Sequence, residues 1–204
     1  MLTLSRFKEM IAAAGADIRA EEKLFSELDA AEGGDGDHGT AIVTAFNAMA
    51  KADGDDFKTY LKNLSDRLQD EACGSTSTLY GTWLQGMSEA VPANASELDA
   101  GGVAAMFRGG LDEIGFVTRA RVGDKTLMDA LLPATDALAA AQTQGLPAMF
   151  AAAADAAEKG AEATGPMRAR FGRAKNLGER SIGPRDAGAA SMACIFRAFA
   201  KTLN

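Results

Sequence analysis

The sequence predicts an all-α protein. Alanine is by far the commonest residue and runs of β-branched residues are nearly absent, a composition that favours helix over strand. Apolar residues recur at steps of three and four, as in Leu61, Leu64 and Leu68, and again from Leu127 to Ala134. No segment alternates apolar and polar residues for long enough to predict a sheet, and no repeat of fixed period is present.

The helical pattern divides into eight segments, of which the first is long enough to form two pieces. The predicted helices cover residues 3–28, 39–52, 56–72, 76–91, 97–116, 126–142, 146–164 and 188–203. Ser96, followed by Asp99, predicts an N-cap with an acidic first turn, and Gly54–Asp56 predicts a turn and a cap. Pro147 suits the first turn of a helix, and Pro92 ends one.

Composition limits the classes of protein that fit. A length of 204 residues suits one domain or two small ones, and we predict a single domain over residues 1–204. The net charge of −7 argues against nucleic acid and anionic membranes as partners. Cys73 and Cys194 lie far apart in no CxxC arrangement, which predicts reduced thiols rather than a disulfide or a zinc site. No run resembles a signal peptide or a transmembrane span, so we expect a cytoplasmic protein.

Four Gly-rich polar segments interrupt the alanine-rich pattern, and each lies just before a predicted helix. They are Gly33–Thr40, Gly74–Gly81, Val122–Thr126 and Gly172–Gly188. In an antiparallel bundle, alternate connections lie at the same end. The candidate site is therefore one rim of the bundle, built from loops and helix N-termini.

The first segment and the residues before it concentrate carboxylates and glycines in a short stretch. Asp35 and Asp37, with Gly36 between them, can turn toward one centre, where a Mg²⁺ ion would relieve their repulsion. Gly39 then begins a helix whose N–H groups face the same place. The alternative is a solvated acidic turn with an Asp cap. An EF-hand is excluded, because position twelve counted from Asp35 is Phe46 rather than Glu.

The second and third segments are weaker signals. The hydroxyls of Gly74–Gly81 at a helix start suit phosphate oxygens, but an N-cap without a ligand is an equal alternative. Gly123–Thr126 resembles the end of a P-loop, yet the upstream glycine and the preceding strand are missing. By itself it predicts only a capped helix start.

The fourth segment is basic in an otherwise acidic chain. Gly172–Gly188 contains Arg173, Lys175, Arg180 and Arg185. Such a loop is typical of a cover over phosphate or of a docking surface for an acidic partner. The alternative is a solvated linker.

Taken together, these motifs resemble the L subunit of dihydroxyacetone kinase, usually called DhaL. The resemblance rests on Asp29, the Gly-Asp-Gly-Asp-His-Gly run at 34–39, the Gly-Asp-Lys-Thr run at 123–126 and Leu-Gly-Glu-Arg-Ser-Ile-Gly at 177–183. It spans nearly the whole chain, in the order of the family. It implies an eight-helix antiparallel up-and-down barrel with the nucleotide at one rim.

The resemblance also implies the ligands and the residues that hold them. Two Mg²⁺ ions would be held by Asp29, Asp35 and Asp37 and would bridge to the phosphates of ADP or ATP. The implied nucleotide contacts are His38, Gly39, Thr40, Ala41, Ser75, Thr76 and Gly123, with Arg173, Asp186, Ala187 and Gly188 closing over the nucleotide. We expect Arg173 to offset the charge that develops in the transition state, and His38 to contact a phosphate rather than form a phosphohistidine.

The resemblance implies partners as well. In the family a separate K subunit holds dihydroxyacetone, and in many bacteria a phosphotransferase-system subunit rephosphorylates the bound ADP. In the ATP-using enzymes, K and L are domains of one chain. We therefore expect a kinase subunit that transfers a phosphoryl group to a sugar on a K-type subunit. The alternatives are a non-catalytic nucleotide-binding regulatory subunit and a helical carrier of an apolar ligand.

Three departures from the family pattern concern the sugar rather than the kinase chemistry. The family commonly has Asn where this chain has Ala41, Gly-x-Ser-Gly where it has Gly74–Ser77, and Asp-Pro-Gly where it has Asp186–Gly188. The metal loop is intact. The expected substrate is dihydroxyacetone or another short keto sugar.

Overall fold

The computed structural model describes residues 1–31, 33–72 and 74–203, and the chain is almost entirely helical there. Nine α-helices are present in these ranges, because the first predicted segment is two helices separated at Glu21. The helices are α1 (Leu4–Ala20), α2 (Glu22–Ala31), α3 (His38–Met49), α4 (Phe57–Glu71), α5 (Gly74–Ala90), α6 (Ala100–Val117), α7 (Met128–Ala140), α8 (Leu146–Ala163) and α9 (Ala187–Leu203). The all-α prediction is confirmed.

Two details of the boundaries were predicted wrongly. Residues Glu97–Leu98 do not begin a helix but form a strand, β2, which pairs antiparallel with β1 (Leu2–Thr3). Helix α6 is capped by Asp99, whose carboxylate accepts a hydrogen bond from the Gly102 N–H at 2.7 Å. Ser96 is therefore not the N-cap. A strand of two residues is too short to produce a detectable period of two.

The basic segment is also more ordered than a loop. It contains a 3-10 helix over Ala174–Ser181 with a kink at Gly178, where φ is +62°. A second 3-10 helix covers Gln142–Gln144. Other predicted boundaries hold: Asp56 caps α4 by accepting from the Thr59 N–H at 3.1 Å, and Pro147 lies in the first turn of α8.

Helices that follow one another along the chain pack side by side, and α1 packs against α9, which closes the ring. Helix α9 is buried on most of its surface and contacts α1, α2, α7 and α8. The interior is filled by aromatic rings from several helices. These are Trp83, Phe107, Phe150, Phe196 and Phe199, whose neighbouring ring centroids lie 5.5–6.3 Å apart.

Helices α5 and α6 approach closely because both carry glycine at their crossing. A Cβ atom on Gly86 would lie 2.4 Å from the Gly109 carbonyl oxygen. A Cβ atom on Gly109 would lie 2.4 Å from the Ala90 Cβ atom. Larger residues at these positions would force the helices apart.

The buried thiol of Cys194 is free, and burial raises its pKa to about 12. Cys73 lies outside the described residues. Within the described ranges, every helix falls short of the length or the apolar character needed to cross a bilayer.

Candidate functional site

A cavity of about 610 Å³ opens at one rim of the barrel, and all four Gly-rich segments contribute to it. The sequence-predicted residues that line it are Asp29, Asp35, Asp37, His38, Ala41, Ser75, Thr76, Arg173, Asp186, Ala187 and Gly188. Gly39, Thr40 and Gly123 lie nearby in the chain but are not part of the lining. The rim arrangement expected from alternate connections is therefore present.

Three carboxylates converge on one side of this cavity. One oxygen from each of Asp29, Asp35 and Asp37 lies within 4.8 Å of the other two. Asp29 is in the last turn of α2, and its Oδ2 accepts a hydrogen bond from the Gly36 N–H at 2.8 Å. Gly34 is required here, since a Cβ atom on it would lie 2.1 Å from the Asp29 Oδ1. The glycines thus allow the loop to wrap closely around the Asp29 carboxylate.

Asp37 occupies the N-cap position of α3 without acting as a cap. Its φ and ψ angles are −93° and −8°, and among the described residues its side chain caps none of the N–H groups of the helix. An N-cap normally has extended backbone angles and accepts from the second or third N–H group. The Asp-cap interpretation of this loop is therefore wrong for Asp37, whose carboxylate faces the other two.

Arg173, from the basic segment, brings a positive charge to the acidic cluster. Its guanidinium forms an ion pair with the Asp35 carboxylate, although the Arg173 side chain remains 65% exposed. The basic segment therefore reaches the acidic loop through Arg173, and its role as a cover over phosphate stays a prediction.

His38 links the start of α3 to the middle of the site. Its Nε2 atom lies 2.9 Å from the Ser191 Oγ, and its Nδ1 atom lies 3.4 Å from the Thr76 Oγ1. Burial lowers the pKa of His38, while the Asp29 charge opposes this effect. The imidazole is therefore neutral near neutral pH. Ser191 and Tyr80, which also contact each other at 2.9 Å, had no sequence signal because both lie inside helices.

Gly39 and Thr40 have visible structural roles at the α2–α3 contact. A Cβ atom on Gly39 would lie 2.0 Å from the Glu22 carbonyl oxygen, so only glycine fits there. The Thr40 hydroxyl donates to the Glu22 carboxylate at 3.2 Å. Nucleotide contacts from Gly39 and Thr40 stay predictions.

The Gly123–Thr126 turn is organised by Asp129, a buried residue of α7. The carboxylate of Asp129 accepts hydrogen bonds from the Gly123 N–H at 2.6 Å and from the Thr126 N–H at 2.8 Å. Lys125, between them, is buried and lines the cavity together with Thr126. Sequence reasoning missed Lys125 and Asp129, because the motif by itself predicts only a capped helix start and the resemblance implied a role for Gly123 alone.

Asp186 caps α9 and faces the cavity. Its Oδ2 accepts from the Ala189 N–H at 2.6 Å, and its own N–H donates to the Thr164 hydroxyl at 2.8 Å. Burial raises the pKa of Asp186 to about 6, and the nearby charges of Asp129 and Asp29 add to this increase. The Ala189 N–H group opposes it, and so does the Lys125 ammonium group.

Apolar side chains also line the cavity. They are Leu79, Val117, Ala120, Leu127, Met128 and Phe171. Sequence reasoning missed these lining residues, since apolar residues beside a polar loop are indistinguishable from core residues by pattern alone. The site therefore combines an acidic cluster, a neighbouring arginine and an apolar surface within one cavity.

A family model described as the DAK2 domain matches residues 32–201. The chain belongs to the DAK2 domain family. It is similar to the ADP-binding subunit DhaL of the PEP-dependent dihydroxyacetone kinase of Escherichia coli, with 35% identity in an alignment of 185 positions that covers 87% of each chain. The resemblance to DhaL based on the motifs is confirmed.

Longer relatives of this DAK2 domain chain include complete kinases. The D-erythrulose kinase of Mycolicibacterium smegmatis is 34% identical in an alignment of 205 positions, which covers 97% of this chain and 34% of that protein. The crystal structure of the dihydroxyacetone kinase from C. freundii in complex with AMP-PNP and Mg²⁺ superposes with a TM-score of 0.73 at 28% identity, covering 95% of this chain and 33% of that one. The DAK2 domain chain thus spans about a third of these kinases.

Proposed function

We propose that this chain binds ADP or ATP together with Mg²⁺ in the rim cavity, and that it is the nucleotide-binding subunit of a kinase. The observation that carries the proposal is the convergence of the Asp29, Asp35 and Asp37 carboxylates beside Arg173. The names of the E. coli and C. freundii relatives, which refer to ADP and to AMP-PNP with Mg²⁺, agree with it.

The donor set fits magnesium. Mg²⁺ is usually bound by one or two carboxylates and completes its octahedron with water and phosphate oxygens, so three carboxylates suit two ions that share ligands. Bound Mg²⁺ would neutralise and orient the phosphates for transfer. Thr40 and Glu22 lie outside this set of metal ligands, and they hydrogen-bond to each other at the exposed side of the α2–α3 contact.

The remaining cavity residues fit the parts of a nucleotide. Ser75 and Thr76 lie in the first turn of α5, where backbone N–H groups and hydroxyls suit phosphate oxygens. The apolar lining residues, among them Phe171 and Met128, suit a purine base. Asp186–Gly188, at the start of α9, also lines the cavity and would contact the nucleotide.

Arg173 would act as the catalytic residue of this subunit. Its ion pair with Asp35 balances the loop charge in the ligand-free protein. When cations take over that role, the guanidinium becomes available to a terminal phosphate oxygen. An arginine that pairs with charge developing on the transferred group lowers the barrier more than it strengthens nucleotide binding.

The phosphoryl acceptor would be a short keto sugar held on a separate K-type subunit. The similarity of the chain to proteins named as ADP-binding DhaL subunits supports this division of labour. Relatives named for erythrulose support a four-carbon sugar as an alternative to dihydroxyacetone. A phosphotransferase-system subunit is a further partner if the phosphate comes from phosphoenolpyruvate.

The two alternative functions have less support. The interior of the barrel is filled by the rings of Trp83, Phe107 and Phe196, which does not favour a carrier of an apolar ligand. A regulatory subunit would need no arginine beside the metal loop.

Calorimetry with ADP or ATP tests nucleotide binding, in the presence of Mg²⁺ and again with a chelator. We expect binding and a higher melting temperature only with Mg²⁺. No binding under either condition would refute the proposal. A turnover assay with and without a K-type subunit then tests the kinase: full sugar phosphorylation by this chain alone would contradict the two-subunit scheme.

A further inference from the structure

Lys125 combines two features that are unusual for a lysine. Its side chain is only 2% exposed. Its backbone has a φ of +61°, and among the described non-glycine residues only Asn94 shares a positive φ. Asparagine tolerates this conformation, whereas a lysine gains nothing from it, so the surrounding contacts must hold Lys125 in place.

Those contacts join three parts of the chain. The Lys125 ammonium group donates a hydrogen bond to the Thr164 carbonyl oxygen at 2.9 Å and another to the Pro184 carbonyl oxygen. Thr164 follows the last residue of α8, and Pro184 lies just before α9. One buried charge therefore connects the α6–α7 loop to both ends of the α8–α9 connection.

Asp186 is held at the same junction, where the α6–α7 loop meets the α8–α9 connection. Its N–H donates to the Thr164 hydroxyl at 2.8 Å, and the Gly183 N–H donates to the Gly165 carbonyl oxygen at 2.9 Å. Hydrogen bonds to charged groups are stronger than neutral ones. The two hydrogen bonds from the buried Lys125 ammonium group therefore contribute most to the stability of this junction. These hydrogen bonds hold the backbone directly before the Ala187 and Gly188 positions that line the cavity.

We propose that Lys125 is a positioning residue for nucleotide binding, whose ammonium group fastens the α6–α7 loop to the segment before α9 so that Thr126 and the Asp186–Gly188 turn face the same ligand. The inference rests on the proposed nucleotide-binding function. It differs from a P-loop lysine, which acts by touching a phosphate directly.

The proposed connection from Lys125 to Thr164 and Pro184 can be tested without any ligand. In the ligand-free protein, Lys125→Met should speed hydrogen exchange at the amides of Gly183 and Asp186, because both bonds depend on this junction. The matched control is Lys159→Met, which removes an exposed lysine of α8 paired with Asp155. Unchanged exchange at Gly183 and Asp186 in Lys125→Met would refute the claim that Lys125 holds this part of the chain in place, whatever the result with nucleotide.

Nucleotide binding then tests the functional part. We expect Lys125→Met to weaken Mg·ADP affinity by about tenfold or more, the range for a lost charged hydrogen bond, and Lys159→Met to leave it unchanged. Lys125→Gly, which relieves the positive φ, should show the same loss, since the side chain carries the effect. Normal affinity in both Lys125 variants would refute the positioning role. Lost affinity with unchanged exchange would instead indicate direct phosphate contact and also refute it.

A second variant covers the case in which Lys125→Met fails to fold. Thr164→Val keeps the shape of the buried side chain but removes the hydroxyl that accepts from the Asp186 N–H. It should speed exchange at Asp186 and weaken Mg·ADP affinity in the same direction. If wild-type protein binds no Mg·ADP, the proposed function fails, while the exchange data still decide whether the junction exists.

Discussion

The Nε2 atom of His38 lies 2.9 Å from the Ser191 Oγ, and this contact fixes the tautomer of the imidazole. A serine hydroxyl has one proton, which Ser191 donates to the Gly188 carbonyl oxygen at 3.0 Å. Ser191 therefore accepts hydrogen bonds from the His38 Nε2–H and from the Tyr80 hydroxyl at 2.9 Å. The neutral ring then carries its lone pair on Nδ1, toward Thr76.

This relationship predicts the nitrogen spectrum of the protein. The chain has one histidine, so its ring nitrogens can be assigned without ambiguity. At neutral pH we expect His38 to be protonated on Nε2 and unprotonated on Nδ1, as measured by ¹⁵N NMR of the imidazole. Ser191→Ala should shift the ring toward a mixture of tautomers. A wild-type ring protonated on Nδ1 would contradict the hydrogen-bond chain.

A neutral His38 would accept rather than donate at Nδ1, so a phosphate contact there requires ring protonation.

The second prediction separates metal binding from helix capping. Asp37→Ala should abolish Mg²⁺-dependent ADP binding, because one ligand is lost, and leave the melting temperature of the ligand-free protein almost unchanged. Asp99→Ala is the matched control, since Asp99 does cap its helix through the Gly102 N–H. It should cost about 1 kcal/mol of unfolding free energy and leave ADP affinity intact. A stability loss in Asp37→Ala equal to that in Asp99→Ala would favour the capping interpretation.

The third prediction concerns pH and Asp186. Burial raises the pKa of Asp186 to about 6, so the folded state binds more protons than the unfolded state between about pH 4 and pH 6. The contribution of Asp186 to stability therefore falls as pH rises through this window. Asp186→Asn keeps a good N-cap residue, so the variant should gain about 1–3 kcal/mol relative to wild type between pH 4 and pH 7. Unfolding in denaturant, with chelator and without nucleotide, measures this difference.

Asp56 provides a control of opposite sign. Hydrogen bonds from the Thr59 N–H and hydroxyl lower the pKa of Asp56 below its usual value. The stability that this carboxylate contributes is present above the unfolded pKa of 3.8 and is lost as pH falls below that value through the folded pKa. Asp56→Asn should therefore lose stability relative to wild type as pH rises to about 4, whereas Asp186→Asn gains stability as pH rises above about 4. Parallel trends in the two variants would contradict the burial of the Asp186 carboxylate.

The sequence predicted the helices and the acidic cluster for different reasons. The helices follow from alanine content and the period of apolar residues, both of which are local. Asp35 and Asp37 are separated by a single glycine and follow Asp29 closely in the chain, so their convergence needs no long-range information. The helix starting at residue 97 was predicted wrongly, because the pairing of Leu98 with Leu2 depends on a partner almost a hundred residues away.

Other parts of the site could not be predicted because they depend on packing. Lys125 lies in a polar loop, where lysine is normally exposed, and its burial appears only when Thr164 and Pro184 close over it. Ser191 is one of many small residues on a helix that is buried on most sides, so no periodic face distinguishes it. Tertiary structure alone places its hydroxyl against His38.

The last prediction concerns Arg173. Its guanidinium pairs with Asp35 in the ligand-free protein and would reach a terminal phosphate once cations neutralise the loop. We predict that Arg173→Ala lowers turnover with a K-type subunit by at least about 100-fold, a conservative bound below the range of roughly 10³–10⁵ for arginine fingers, while ADP affinity falls much less because the metal ions carry most of that binding. Arg170→Ala is the matched control, since Arg170 is equally exposed and pairs with Asp124 instead. Turnover and calorimetry on the same preparations separate the two effects. Normal turnover in Arg173→Ala would move the catalytic role to another basic residue of the segment, and an equal loss in both variants would indicate a general charge effect.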